Sequence, residues 1–236
     1  DSNMTYDYQG NLWFVSSRQG ILRLSKSAFT QLYNTYNTDS SVVNTVTWWN
    51  DGFYIGTDNG LYVSKDENTN TKGRCITPVI DALNGVRIRC IKEDSKGNLW
   101  ICTSGAGVYK LTIDGGVKKY DKSNGLNGEL YRTVTELSDN TILVAGDSGM
   151  SFIKDDDSVY NIGTQMINSK VLCTLQADDK TIFAGTDGNG IEVIRDGVIV
   201  GNFGKNEGLS SEVILRMVED SSGDGIFIVT SNSICY

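Results

Sequence analysis

The chain has 236 residues, 39% hydrophobic and 21% charged, the balance of a globular protein able to bury a core. Its formal net charge of −8, from 21 Lys+Arg against 29 Asp+Glu, speaks against nucleic acid and anionic membrane as partners, since both demand cationic surface. No run approaches the ~20 apolar residues of a membrane-crossing helix. The opening Asp1-Ser2-Asn3-Met4 is neither an initiator Met nor a signal peptide, so the chain reads as a piece of a longer polypeptide.

In chain order, one phrase recurs: an apolar strand, an Asp/Asn/Gly turn, an aromatic or aliphatic strand, a Gly turn and a further strand. The first copy contains Asp7-Tyr8-Gln9-Gly10-Asn11-Leu12-Trp13-Phe14, with a second turn at Arg18-Gln19-Gly20. The second runs Asn50-Asp51-Gly52-Phe53-Tyr54-Ile55-Gly56-Thr57, then Asp58-Asn59-Gly60. After it comes the longest interval, where Thr77 to Leu83 could form a short helical turn. The third is Asp94-Ser95-Lys96-Gly97-Asn98-Leu99-Trp100-Ile101, then Ser104-Gly105-Ala106-Gly107. Copies around Leu143, Phe183 and Phe227 follow, two of them with turns at Asp147-Ser148-Gly149 and Asp187-Gly188-Asn189-Gly190. Gly and Asn tolerate the positive φ that such hairpins need.

Taking Trp13, Tyr54, Trp100, Leu143, Phe183 and Phe227 as equivalent gives spacings of 41, 46, 43, 40 and 44 residues. A period near 40–50 residues with several strands per repeat marks propeller blades. The prediction is an all-β fold: one β-propeller domain over 1–236, with about six four-stranded blades, or a truncated seven-bladed ring. One small antiparallel sheet cannot bury both faces alone, whereas radial stacking hides each face against a neighbour. Alternation then sends Leu12, Phe14, Leu99 and Ile101 between blades, with Trp13 and Trp100 on the opposite face. The five cysteines show no CxxC or metal spacing. Cys90, Cys102, Cys173 and Cys235 sit in apolar runs, as small hydrophobes do.

The phrase Asp94-x-x-Gly97-Asn98-Leu99-Trp100-Ile101-x-Thr103, followed by Gly107-Val108-Tyr109, resembles the two-component regulator propeller repeat. So do Gly56-Thr57-Asp58-Asn59-Gly60-Leu61-Tyr62 and the lead-ins Gly125-Leu126-Asn127-Gly128 and Gly208-Leu209-Ser210-Ser211-Glu212-Val213. The resemblance implies the periplasmic or extracellular sensor region of a bacterial membrane receptor. Such a region is followed by a β-sandwich, a membrane span and an output module, typically a histidine kinase or diguanylate cyclase. It also implies a small-molecule ligand such as an oligosaccharide, signalling partners in the same chain, and possible homodimers. A weaker similarity runs to streptogramin lyases, propellers whose elimination chemistry needs a histidine base.

This chain has no histidine. That removes Ser/His/Asp and Cys/His nucleophilic sites and His-based zinc sites, so no enzyme activity, catalytic residue, cofactor or metal is expected. A carboxylate or metal-assisted enzyme and a purely protein-binding scaffold are the alternatives. Asp155-Asp156-Asp157 reads as a solvated loop, and Asp58, Asp147 and Asp187 as turn formers. Ligand candidates come from the segments entering the innermost strands: Asn44, Arg87, Arg89, Tyr131, Arg132, Lys170, Glu212 and Arg216, with Arg18 and Asp58 from the turns. Counted back from the anchors, Arg89, Arg132 and Arg216 share one repeat position, occupied by Val43 and Leu172 in two other copies. Such a set suits an anionic sugar or a carboxylated ligand. Trp48 and Trp49 are adjacent in a strand and point to opposite faces, so one is core and Trp48 is a candidate sugar platform.

Overall fold

The computed structural model describes residues 4–8, 11–16, 20–24, 42–65, 81–163, 169–223 and 225–236. It is all-β and divides into two compact units, residues 1–37 and 38–236. The first holds one antiparallel sheet, β1 (Met4–Tyr6), β2 (Leu12–Ser16) and β3 (Gly20–Leu24). Its turn is built by Asp7, whose carboxylate accepts from Asn11 N at 2.9 Å and Asn11 Nδ2 at 2.8 Å.

Among the described residues, the second unit is a propeller of five blades. Blade one is β4 (Val43–Trp49), β5 (Gly52–Thr57) and β6 (Gly60–Lys65). Blade two is β7 (Ile88–Glu93), β8 (Leu99–Thr103), β9 (Val108–Leu111) and β10 (Val117–Tyr120). Blade three is β11 (Tyr131–Glu136), β12 (Ile142–Gly146), β13 (Gly149–Ile153) and β14 (Val159–Gly163). Blade four is β15 (Val171–Gln176), β16 (Ile182–Thr186), β17 (Ile191–Arg195) and β18 (Val198–Phe203). Blade five is β19 (Ile214–Glu219), β20 (Ile226–Thr230) and β21 (Ile234–Cys235).

The expectation of about six four-stranded blades, or a truncated seven-bladed ring, is therefore corrected. The propeller unit has five blades, and only blades two, three and four have four strands among the described residues. The sequence count treated every copy as a blade of one ring, whereas the copy around Trp13 forms a sheet in the other unit. Beyond β6 the chain enters 66–80, outside the described residues, and of the predicted turn Thr77–Leu83 only Asp81 and Ala82 are described as helical.

Four apolar clusters fill the spaces between consecutive blades, as sheet-on-sheet burial requires. The alternation along β8 decides which side chain goes where: Leu99 and Ile101 join Trp49, Tyr54 and Leu61 of blade one. Trp100 and Cys102 join Tyr131, Val134 and Val144 of blade three. Trp100 is thus core, 2% exposed. The corresponding side chains of Leu12, Trp13 and Phe14 lie outside the described residues.

The turn phrase explains itself at Asp94. Its carboxylate accepts from Lys96 N at 3.0 Å, Asn98 N at 2.8 Å, Asn98 Nδ2 at 2.9 Å and Trp100 Nε1 at 2.8 Å. Burial alone would raise this carboxyl, but those bonds outweigh it and hold Asp94 below its ordinary range. The second hairpin of blades one, two and four is closed by a threonine: Thr57, Thr103 and Thr186 Oγ1 donate to the carbonyls of Gly60, Gly107 and Gly190. Gly107 and Gly190 have φ of 77° and 66°, and a Cβ there would lie 2.2 Å from Tyr120 O and 2.0 Å from Phe203 O. Glycine is needed at both for conformation and for space.

Candidate functional site: the axial cavity

The innermost strands β4, β7, β11, β15 and β19 face one cavity of about 470 Å3. That volume lies in the range of small-molecule pockets, roughly 300–1,000 Å3. Each of these strands carries a β-bulge one residue after its start, always against the end of the second strand of its blade. A bulge swings its extra residue out of the ladder. The five bulged residues are Asn44, Arg89, Arg132, Leu172 and Leu215, and all line the cavity. Next along the strands come Thr45, Cys90, Thr133, Cys173 and Arg216, then Ile91, Val134, Thr174 and Met217, then Lys92, Thr135 and Leu175.

At the bulge level the side chains reach the first residue of their own blade's second hairpin. Asn44 Nδ2 donates to Asp58 Oδ1 at 2.7 Å, Arg89 Nε to Ser104 Oγ at 2.7 Å, and Arg132 Nε to Asp147 Oδ1 at 2.7 Å. The backbone beneath repeats in all five blades. The amides of Asp58, Ser104, Asp147, Asp187 and Ser231 donate to the carbonyls of Val42, Arg87, Leu130, Lys170 and Val213. Two more cations join this end: Arg87 Nε lies 2.6 Å from Asp58 Oδ1, an ion pair without hydrogen-bond alignment, and Lys170 Nζ lies 3.7 Å from Asp147 Oδ2. Burial, together with the neighbouring guanidiniums of Arg87 and Arg132, pulls Arg89 below the usual arginine value. Burial pushes the Cys173 thiol up to about 12, with Arg216 pulling the other way, so this thiol is neutral at physiological pH.

The structure gathers Asn44, Asp58, Arg87, Arg89, Arg132 and Lys170 at one end of the cavity, and places Arg216 on its wall. Arg216 is not equivalent to Arg89 and Arg132, however. The turn between β19 and β20 is one residue longer than its counterparts and the β4–β5 turn is shorter, so counting from the anchors slipped by one in both blades. The bulge position belongs to Leu215 and Asn44 rather than Arg216 and Val43. Lys92, also on the wall, was missed because it lies deeper in a strand than the lead-in segments.

Three candidates stand elsewhere. Tyr131 is 1% exposed; its hydroxyl donates to Asn127 Oδ1 at 2.9 Å and accepts from Gly128 N at 3.2 Å, within the core between blades two and three. Glu212 offers its carbonyl to Gly188 N and Gly190 N, linking blades four and five. Trp48 is 53% exposed near the other end of β4, edge-on to Phe53, while Trp49 is buried and donates to Gly97 O at 2.8 Å. Arg18 lies outside the described residues. Among the described residues, no group of three or more His, Cys, Asp or Glu side chains could hold a metal ion. No helix among them is long and apolar enough to cross a membrane.

Comparison with known proteins gives the repeat its family. Residues 82–105 match the two component regulator propeller, so the chain carries that repeat. No curated protein matches. Among solved structures, the extracellular domain of a proposed one component system from B. thetaiotaomicron is similar at 17% identity and TM-score 0.52, covering 99% of this chain. This chain spans only 37% of that one's length. Catalytically inactive virginiamycin B lyase from Staphylococcus aureus with quinupristin is similar at 14% identity and TM-score 0.55, covering 98% of this chain and 81% of the lyase. The WD40 β-propeller domain of Doa1 is similar at 14% identity and TM-score 0.58, covering 98% and 76%. At these identities the likenesses establish a β-propeller and nothing finer.

Proposed function

We propose that the chain is the ligand-sensing propeller of a bacterial transmembrane signalling receptor of histidine kinase or diguanylate cyclase type, facing the periplasm or cell exterior. It has no catalysis of its own, and its ligand is a small molecule of carbohydrate class. The regulator-type repeat at 82–105 supports the receptor part of this reading. The observation that carries the ligand part is the axial cavity, where polar side chains from Asn44, Arg89 and Arg132 converge at one level on a rigid repeated backbone. Downstream modules of the same polypeptide would read ligand occupancy through domain contacts or dimer geometry.

The test is a thermal-shift screen of the chain against a panel of oligosaccharides, followed by receptor output in cells. A ligand at one hundred times its Kd stabilises by about 2.7 kcal/mol, a shift of several degrees. The reading expects such a shift from at least one oligosaccharide, abolished by Arg89→Gln, and receptor output that follows it. A second reading, a scaffold binding partner proteins, draws on the exposed Val46 and Trp48 of blade one and Val218, Phe227 and Ile234 of blade five. Absence of any oligosaccharide shift, with a partner chain captured by those faces, would replace the sensor with the scaffold.

A further inference from the structure

We infer that the axial cavity is an oxyanion site, and that the ligand of the proposed sensor presents a carboxylate or sulfate to Arg89, Arg216 and Lys92. The inference rests on the sensor reading and narrows its ligand class. Its ground is a charge imbalance. The protein is acidic overall, at −8, yet among the described residues the cavity wall carries Arg89, Lys92, Arg132 and Arg216 and neither Asp nor Glu.

Most surface cations in a globular protein are dispersed or paired, and here the pairing differs from one to the next. Arg132 is neutralised by Asp147 and, at the mouth, Arg87 by Asp58. Arg89 is held by Ser104 Oγ, a neutral acceptor that orients the guanidinium; Asp58 and Asp147 act on it electrostatically but form no ion pair with it. Arg216 and Lys92 form no ion pair with any described residue. Three cations from blades two and five thus share one concave space without an ion-paired carboxylate among the described residues.

Like charges gathered in a cleft repel one another, and low-dielectric walls enlarge the effect by focusing the field. A bound oxyanion relieves that repulsion and accepts the guanidinium forks. The wall also explains why the site would hold a sugar-sized anion and not a bare metal or a cation. The remaining lining includes the Thr133 hydroxyl, which suits a neutral oxygen of the same ligand, and Thr135 and Thr174, whose hydroxyls bond one another at 2.8 Å, beside the apolar Leu172 and Leu215.

The test is isothermal titration of the whole chain with D-glucuronate, D-glucose and inorganic sulfate. The two sugars differ only at C6. Glucuronate is expected to bind at least about tenfold more tightly than glucose, with sulfate competing, and to weaken as ionic strength rises from roughly 0.01 to 0.15 M. Arg216→Gln and Arg89→Gln should each weaken glucuronate about tenfold (one 1.4 kcal/mol step), with urea midpoints unchanged for the exposed Arg216. Equal binding of glucose and glucuronate would overturn the oxyanion assignment while leaving the sensor reading intact. No binding of glucuronate or sulfate, or binding indifferent to both substitutions, would also overturn it. Glucuronate bound as expected, without any change in receptor output, would uphold the site and count against the sensor.

Discussion

At the bulges of β7 and β11 stand Arg89 and Arg132, each 2.7 Å from the hairpin residue of its own blade, Ser104 and Asp147. At the same bulges of β15 and β19 stand Leu172 and Leu215, in blades whose hairpins begin with Asp187 and Ser231. The backbone does not distinguish the two pairs of blades: the hairpin amide bonds back to the entering strand in all of them. What forms a blade is therefore carried by residues away from the bulge, the hairpin glycines and the interblade apolar rows. The bulge side chain is left free to vary, and at that level of the channel it is polar in blades one, two and three and apolar in blades four and five. The repeat sets where a side chain points, and the individual blade sets what it says.

Breaking the shared scaffold should hurt both halves alike, and by the most. Gly107→Val in blade two and Gly190→Val in blade four each force a Cβ onto a backbone oxygen at positive φ. Each is expected to cost at least about 3 kcal/mol, seen as a lowered urea midpoint. Loss in one blade only would show that the halves do not share a hairpin.

The turn caps should separate the blades instead. Asp94→Ala removes four bonds and leaves the buried Trp100 Nε1 without its acceptor, for roughly 3 kcal/mol. Asp139→Ala in blade three or Asp179→Ala in blade four removes a single described turn bond, to Thr141 N or Thr181 N, for about 1 kcal/mol. The Asp94 carboxyl is held below its ordinary range, so its stabilisation is present above about pH 4. It is lost as pH falls through the depressed folded value. Urea midpoints measured from pH 6 downward should fall less steeply in Asp94→Asn than in the parent protein. Equal slopes would place the acid sensitivity in other carboxylates.

Much of this fold was legible because the repeat is written in turn chemistry. Asp94, Gly97 and Asn98 mark a turn from sequence, and the period between Tyr54 and Phe227 gave each propeller blade its second strand. Alternation assigned Leu99 and Trp100 to opposite faces correctly. The blade count was not legible, since the copy at Trp13 belongs to a separate compact unit, a division that a local phrase does not encode. At the site, Arg89 and Arg132 were recognisable as equivalents, but Arg216 was misaligned by a one-residue difference in turn length. A bulge amplifies such slips: one residue separates a side chain aimed into the channel from one in the ladder. Tyr131 was misplaced for the same reason, being the residue before the bulge and therefore core.

The smallest effects bear most directly on the comparison, because they exchange its two halves. Arg132→Leu gives blade three the bulge residue of blade four. It leaves Asp147, 27% exposed, with Lys170 at 3.7 Å as its cation, and should cost about 1 kcal/mol. Leu172→Arg gives blade four the bulge residue of blade three, beside a hairpin that already supplies Asp187. Its expected effect is within about 0.5 kcal/mol, since a part-exposed ion pair offsets little more than the entropy of fixing it. If the bulge is a free position on a common scaffold, the double variant should show the sum of the two effects, as separate sites do. A double variant less stable than that sum by more than about 0.5 kcal/mol would mean the channel residues act as one network. The polar and apolar halves would then be a single arrangement selected together rather than blade by blade.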